Sequence, residues 1–346
     1  FLFMKRVINW GLVGLGNASL NLAREFDKLN NSKLFAVASL TKSKRDYFTN
    51  KFKIEKTNVY SNYQDIFKNE NIDVVYIGLP NSMHERFCLE ALYNNKNVVV
   101  EKPLTNNFLS LKKIKKLFLE KELILEEGTA NKFHPFYKKI MDNMKSQNYS
   151  KILSIKSSFG NDALGGKKIF GLRLKKIDKK KRLFNKNLLG GAILDGGIYP
   201  ISLIVDIINL FNNNFLDDIK IINCKKKIAE EVDLSSTLEL SINNINIEIK
   251  TSLIDQLDNN LTMYLNDTTI ILENVFNIST DTLIKIKEKK NEKIIKNDDE
   301  KNSYYYLIKE ISDLLILNNH KTNRFRENFQ KIEKNINLLS RWYSFN

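Results

Sequence analysis

Cysteine is scarce: the chain has two, Cys88 and Cys224, far apart and in no C-x-x-C pattern. That excludes a disulfide framework and the usual zinc spacing, and it fits a reducing cytoplasm. Long apolar runs are also missing. Runs such as Val98-Val99-Val100 fall far short of the roughly 20 residues a helix needs to cross a bilayer, so no membrane partner is expected. The opening Phe1-Leu2-Phe3-Met4-Lys5-Arg6 is too short for a signal peptide, and Met4 is read as the start. No His, Cys or Asp cluster has ligand spacing, so no metal is implied. Helix-turn-helix, RRM and zinc-finger patterns are absent too, which matters because the net charge is +15. The cations are spread along the chain, with local clusters at Lys175-Lys176 and Lys179-Lys180-Lys181-Arg182. The charge therefore reads as solvated surface on a Lys-, Asn- and Ile-rich chain, and no nucleic-acid partner is expected.

What is present suffices for two domains. A chain of 346 residues exceeds one ordinary core. Short apolar runs at Val7 to Val13, Leu34 to Ala38, Val74 to Ile77, Val98 to Val100 and Leu123 to Leu125 read as buried strands. Between them, apolar residues recur at helical spacing: Ala18, Leu22, Phe26 and Leu29; a helix from about Met83 to Tyr93; Leu111, Ile114, Leu117 and Phe118. Continuous apolar strands alternating with helices predict a doubly wound parallel sheet, a Rossmann domain over residues 4–128. Ser82-Met83-His84-Glu85 matches a capping box and marks a helix start.

Residues 129–346 change character. Leu234, Leu238, Leu240 and Ile242, then Ile245, Ile247 and Ile249, recur with a period of two, which predicts an α+β domain with an open, largely antiparallel sheet. The polar, basic stretch from Gly160 to Leu189 reads as a loop near the site, and residues 287–303 as a solvated hairpin or loop. From Tyr304 the pattern is helical again, with Leu307, Ile311, Leu314 and Leu315 on one face. That helix can return to the first domain.

Gly14-Leu15-Gly16-Asn17-Ala18-Ser19 lies between the first strand and the first helix. Gly14 and Gly16 fill the first two positions of G-x-G-x-x-G, and Ser19 fills the third. The first glycine makes the tight turn, and the second lets backbone approach a pyrophosphate. The helix start then offers N–H groups and partial positive charge. A dinucleotide is therefore expected against Gly14, Gly16, Asn17 and Ala18. No acid ends the second strand to hold ribose hydroxyls. Ser39, Thr41, Lys42, Lys44 and Arg45 stand there instead, which favours NADP(H) and leaves NAD(H) open.

Three further segments carry a resemblance: Glu101-Lys102-Pro103, the run from Glu127 to Pro135, and the run from Gly190 to Pro200. With Pro80-Asn81-Ser82-Met83-His84 they resemble the Gfo/Idh/MocA oxidoreductases, nearest in look to the dihydrodiol and xylose dehydrogenase branch. The resemblance implies hydride transfer between nicotinamide and a hydroxyl or carbonyl carbon of a sugar, cyclitol or diol. It implies Lys102 and Tyr199 as the proton-handling pair, and Asp195 as holder of substrate hydroxyls. Glu101, Pro80, Asn81 and His84 would face the cofactor, and Lys132 and His134 the substrate. The family often has His where Tyr199 stands. The branch has Arg where Lys132 stands, and lysine keeps the charge but loses the bidentate fork. The bland alternatives are a core tyrosine at Tyr199, a helix cap at Asp195, and packing roles for His84 and His134. The basic stretch 167–182 looks longer than the family's usual connection and is a candidate for binding an anionic group. A homo-oligomer is expected by analogy. The rival reading is a non-catalytic NAD(P)-binding sensor or regulator on the same fold.

Overall fold

The structure is a computed structural model, and it describes residues 6–146, 152–165, 168–169, 172–173, 176–212, 214–317 and 323–345. Met4, Lys167 and Lys175 lie outside the described residues. The chain divides into two compact units, Phe1–Phe133 with Lys301–Gln330 and His134–Glu300 with Lys331–Asn346.

The first unit is built on a parallel sheet. Its strands are β1 (Ile8–Val13), β2 (Ser32–Ala38), β3 (Val59–Tyr60), β4 (Val74–Ile77), β5 (Asn97–Val100) and β6 (Leu125–Glu127), in the order β3-β2-β1-β4-β5-β6. The order reverses between β1 and β4, where doubly wound folds bind ligands. Every residue of β4 is buried, as a strand covered on both faces requires. The helices are α1 (Asn17–Ala23), α2 (Lys42–Phe52), α3 (Asp65–Lys68), α4 (Asn81–Tyr93) and α5 (Phe108–Lys121).

Sequence periodicity misses α2 and β3. In α2 only Phe48 is buried, so no apolar stripe marks it. Two further expectations need correction. Helix α1 ends at Ala23, and Phe26 continues its buried face from a short 3-10 turn. The capping box at Ser82 does not form: Pro80 is the N-cap and the Met83 N–H donates to its carbonyl. Proline's fixed φ suits the entry to a helix, and the helix therefore starts ahead of Ser82.

Helix α8 (Ser303–Ile316) returns to this unit. It buries Leu307, Ile308, Ile311 and Leu315. Trp10 Nε1 donates to Ser312 Oγ at 3.0 Å, and Asn31 Nδ2 to Asp313 at 2.7 Å. Helix α9 (Asn323–Ser344) begins here, where Phe329 stacks on Phe118 and Asn328 donates to the Glu126 carboxyl at 2.6 Å.

The second unit holds α6 (Pro135–Ser146), β7 (Ile152–Gly160), the small hairpin β8 (Lys168–Ile169) and β9 (Leu172–Arg173), α7 (Ile198–Asn209), and seven further strands. These are β10 (Lys220–Ala229), β11 (Val232–Ile242), β12 (Ile245–Ser252), β13 (Asn260–Leu265), β14 (Thr268–Glu273), β15 (Leu283–Glu288) and β16 (Glu292–Lys296). The eight-stranded sheet runs β10-β11-β12-β7-β13-β14-β15-β16, and only the β12–β7 pairing is parallel. Leu238, Leu240, Ile247 and Ile249 point to the buried face. Asn243 and Asn244 both take positive φ, the geometry of a two-residue turn whose twist matches its strands. The charged stretch after Leu283 is the hairpin of β15 and β16. The segment Lys186–Asn209 has the length and hydropathy of a membrane span, but its most apolar 18-residue window is 78% buried within the structure, as in a core helix.

Burial pushes the Glu126 carboxyl up from 4.5 to about 8, against the lowering effect of the Asn328 amide. The folded chain thus keeps a proton that the unfolded chain releases. Stability is expected to fall as pH rises from about 4.5 to about 8. Denaturant melts across that window should show a flatter slope for Glu126→Gln. Equal slopes in both proteins would mean that Glu126 is ionised in the fold.

Candidate active site

At the end of β1, Gly14 has φ +84°, and a Cβ there would meet Leu79 at 2.6 Å and the Gly78 carbonyl at 2.8 Å. Only glycine fits such a turn. Gly16 differs: an added Cβ would meet only the Gly78 oxygen, at 3.9 Å. Internal packing does not demand glycine at that point, and the open space is what an approaching pyrophosphate needs. Gly16 is also the N-cap of α1, which begins with Asn17 and Ala18. Ser19 fills the third glycine position, fully buried, its hydroxyl donating to the Gly14 carbonyl at 2.5 Å. The residues present fit a dinucleotide.

Past β2, the buried Ser39 hydroxyl accepts from the Thr41 N–H at 3.2 Å, and Arg45 donates to the Ser39 carbonyl at 2.5 Å. Lys42 pairs with Asp46 at 2.8 Å, and Lys44 is exposed. The turn therefore exposes Lys42 and Lys44, with Asp46 paired to Lys42 one helical turn on.

The loop after β5 is pinned at several points. The Glu101 N–H donates to the Ile77 carbonyl at 3.0 Å. Its carboxylate accepts from the hydroxyls of Tyr76, on β4, and of Tyr304, on α8. Burial, then the neighbouring carboxylate, holds the Tyr76 hydroxyl well above its ordinary range, so it stays a donor. Lys102 follows, half-buried. Both ring nitrogens of the fully buried His84 lie 2.8 Å from carbonyl oxygens, Nδ1 from Pro103 and Nε2 from Leu79. His84 thus ties the Lys102 loop to the loop that leads through Pro80 into Asn81, and both proline and asparagine sit at the start of α4. Finally Glu127 accepts the Leu104 N–H at 2.9 Å and the Thr129 hydroxyl at 3.0 Å. Burial raises the Glu127 carboxyl, and these donors with Lys132 and Lys102 oppose the rise. Lys132 itself sits half-exposed in the 3-10 turn Ala130–Phe133.

In the second unit, the Gly190 to Pro200 run forms a tight bend, a π-turn at Ile193–Gly197, and then α7. Gly191 has φ +113° and closes against the Asp233 carboxylate. That carboxylate accepts the Ile193 N–H at 2.6 Å. Burial moves Asp233 up from 3.8 to about 6, with the Ile193 N–H the chief opposing influence. Thr251 Oγ1 donates to the Ala192 carbonyl at 3.1 Å. These contacts set the bend that carries Asp195 and Tyr199. Asp195 is paired with Arg182 at 2.9 Å, both part-exposed. The Tyr199 ring lies 4.7 Å from Phe159 and 6.2 Å from Phe276, centroid to centroid. His134 is buried, and its Nδ1 accepts the Phe136 N–H at 3.1 Å at the start of α6.

Residues 8–129 match the model of the Gfo/Idh/MocA group, described as an oxidoreductase family with an NAD-binding Rossmann fold. Over this stretch the chain is similar to the Gfo/Idh/MocA oxidoreductases. Among relatives, the trans-1,2-dihydrobenzene-1,2-diol dehydrogenase of Xenopus tropicalis is 26% identical over 58% of this chain and 56% of that protein. The D-xylose 1-dehydrogenase (NADP(+)) of Hypocrea jecorina is 25% identical over 56% and 51%. The chain thus spans about half the length of these curated relatives. A 3-ketoreductase from Actinomadura kijaniata, solved with NADP and TDP-benzene, superposes with TM-score 0.80 at 18% identity over 95% of each chain. An aldose-aldose oxidoreductase from Caulobacter crescentus does so with TM-score 0.80 at 16% identity over 97% of each. These structures share the fold.

Against the family pattern, the motif residues fall into separate groups. Gly14, Gly16, Pro80, Asn81, Glu101 and Lys102 all follow the carboxyl ends of β1, β4 and β5 in one unit. Asp195 and Tyr199 share the bend before α7 in the other. His84 and His134 are buried anchors of backbone. Four contributors were not read from sequence: Tyr76, Tyr304, Arg182 and Asp233. Asp233 left a signal, an acid beside an alternating apolar strand start. The partnerships of the two tyrosines left none.

Gly14→Ala is expected to lower stability by roughly 1–3 kcal/mol, because it forces a side chain into left-handed backbone against Leu79. Gly16→Ala should leave the melting temperature nearly unchanged and weaken NADPH binding about tenfold, a loss of about 1.4 kcal/mol. Thermal melts and nicotinamide fluorescence titrations distinguish them. Matching stability losses would make both glycines merely structural.

Proposed function

We propose that the chain is an NAD(P)-dependent oxidoreductase, with NADP(H) favoured. Its substrate would be a small sugar, cyclitol or diol, interconverted between hydroxyl and carbonyl. The observation that carries this reading is a lysine, Lys102, held by a pinned loop at the same sheet edge as the dinucleotide turn. Parallel strands put the ends of β1, β4 and β5 on one side, at the point where strand order reverses, and that is where ligands bind in such sheets.

Bound NADP(H) would supply or accept the hydride. Gly14, Gly16, Asn17 and Ala18 would cradle its pyrophosphate. Ser39, Thr41, Lys42 and Lys44 would face the ribose 2′-phosphate, a group that cations hold and that an acid would repel. Pro80, Asn81 and Glu101 would orient the reactive end, and His84 would hold the loops that carry them. Lys102 and Tyr199 would hydrogen-bond the reacting oxygen and move its proton. Asp195, set by Arg182, would hold substrate hydroxyls, with Lys132 and His134 as further substrate-side groups. A homo-oligomer through the open sheet is part of the same reading: β10 exposes Ile222 and Ile228, each more than 60% accessible.

Parallel fluorescence titrations with NADPH and NADH test the reading, and tighter NADPH binding is the expected result. Tighter NADH binding would overturn the role of the basic turn. Binding of neither by folded protein would overturn the oxidoreductase reading. Lys102→Ala should lower turnover by about 10²–10⁴-fold with a small effect on NADPH affinity, as loss of a positioned proton carrier does. Unchanged turnover would remove Lys102 from the chemistry.

A further inference from the structure

His84 is fully buried in the first turn of α4, and both of its ring nitrogens meet carbonyl oxygens. Nδ1 lies 2.8 Å from that of Pro103 and Nε2 2.8 Å from that of Leu79. A carbonyl oxygen only accepts. A neutral imidazole carries one N–H and one bare nitrogen, so it serves one of these carbonyls and turns a lone pair on the other. Either tautomer meets the same conflict, with the two carbonyls exchanged. Turning the ring over puts C–H groups at both oxygens and loses both bonds. Only the imidazolium, with two N–H groups, satisfies both.

Burial by itself disfavours the charged ring. So does its place near the amino end of α4, which carries partial positive charge. Two bonds oppose this. Each is charge-assisted, roughly twice as strong as its neutral counterpart, and the neutral ring would leave a buried carbonyl unsatisfied. The groups on the surrounding elements weigh on both sides. On α4, Glu85 is part-buried, Arg86 and Glu90 pair with each other at 2.8 Å, and the buried Cys88 thiol is pushed up by burial, then by Glu85, so it stays neutral. The loop after β5 brings the Glu101 carboxylate and the half-buried Lys102. β6 brings Glu127, which accepts from Leu104, next to Pro103. β4 brings Tyr76, whose hydroxyl stays a donor. Helix α5 packs on α4 with Leu111, Ile114 and Phe118 buried, while Lys112, Lys113 and Lys116 are exposed. Glu85, Glu101 and Glu127 thus stand against Lys102.

We propose that His84 is an imidazolium in the folded chain and a positioning residue for the reaction, its two N–H groups locking the loop of Pro80 and Asn81 to the loop of Lys102. One proton opens the lock. When the ring loses it, a single N–H remains, one carbonyl faces a lone pair, and the loop that bears it is released. Leu79 leads into the cofactor side and Pro103 follows the lysine, so one ring couples cofactor affinity to lysine placement. The inference rests on the oxidoreductase reading above and adds a pH-dependent control to it.

Long-range proton–nitrogen NMR spectra of the isotope-labelled whole chain test the charge. The chain has three histidines. His134→Gln and His320→Gln assign the third set of signals, so the unaltered His84 is observed. At about pH 7.5, above the ordinary histidine midpoint of about 6.5, both His84 nitrogens are expected to carry protons. A bare nitrogen there would overturn the proposal. NADPH titrations, followed by nicotinamide fluorescence, test the lock. They run upward from about pH 7.5, where the 2′-phosphate is already ionised, through the His84 midpoint seen in the spectra. Affinity is expected to fall about 3–10-fold at that midpoint, the size of one hydrogen bond. The same step should appear in Lys102→Ala and be missing from His84→Gln, which should bind NADPH more weakly from the start. Affinity that ignores the His84 midpoint, or a step that persists in His84→Gln, would overturn the positioning role. No NADPH binding by the unaltered chain at about pH 7.5 would overturn the oxidoreductase reading and that role with it, while the spectra still decide the charge.

Discussion

A buried carboxylate that accepts a backbone N–H is the interaction on which the motif segments of each unit depend. In the first unit Glu127 accepts from Leu104 and so fixes the loop that carries Lys102. In the second Asp233 accepts from Ile193 and so fixes the bend that carries Asp195 and Tyr199. Each acid is raised by burial and lowered by the N–H it accepts. A buried ionisable group is costly unless such donors satisfy it. The backbone around each acid therefore has one arrangement that keeps it satisfied, and that arrangement places Lys102 in one unit and Asp195 and Tyr199 in the other.

Further contacts fix the Lys102 loop, which lacks regular structure of its own. Tyr76 and Tyr304 hold Glu101, and His84 meets the Pro103 carbonyl. Tyr304 comes from α8, so the return of that helix both packs on β1 and β2 and adds support behind the lysine. Under the proposed function, such rigid placement would let Lys102 act without reorganisation. The glycine turn after β1 obeys a different constraint: it is shaped by the absence of side chains, and its space is left for a ligand.

The basic composition has a plain physical reading. Many lysines pair with neighbouring acids along a helix or across a hairpin, as Lys42 does with Asp46 and Lys285 with Glu273. Such exposed pairs contribute little stability, but they neutralise the field locally.

Local pattern alone determined a good deal about this protein. Apolar runs separated by helical stripes fixed the parallel sheet, because strands buried on both faces have no choice of residue. Period-two alternation fixed the antiparallel sheet. The positions of Gly14 and Gly16 before a helix, and of Lys102 after an apolar strand, were legible because each lies within a few residues of the element that marks it. The start of α4 was misread because a capping box and a proline N-cap compete within a few residues, and the backbone settles between them. Only the tertiary structure decided the rest. Tyr304 meets Glu101 across 203 residues, and Asp233 meets Ile193 across 40. Asn161, just after β7, and Asn277, just after β14, line one cavity beside Tyr199 although 116 residues separate them. Periodicity reports which face of an element is buried, and it has no means to report which distant group a buried polar atom will meet there.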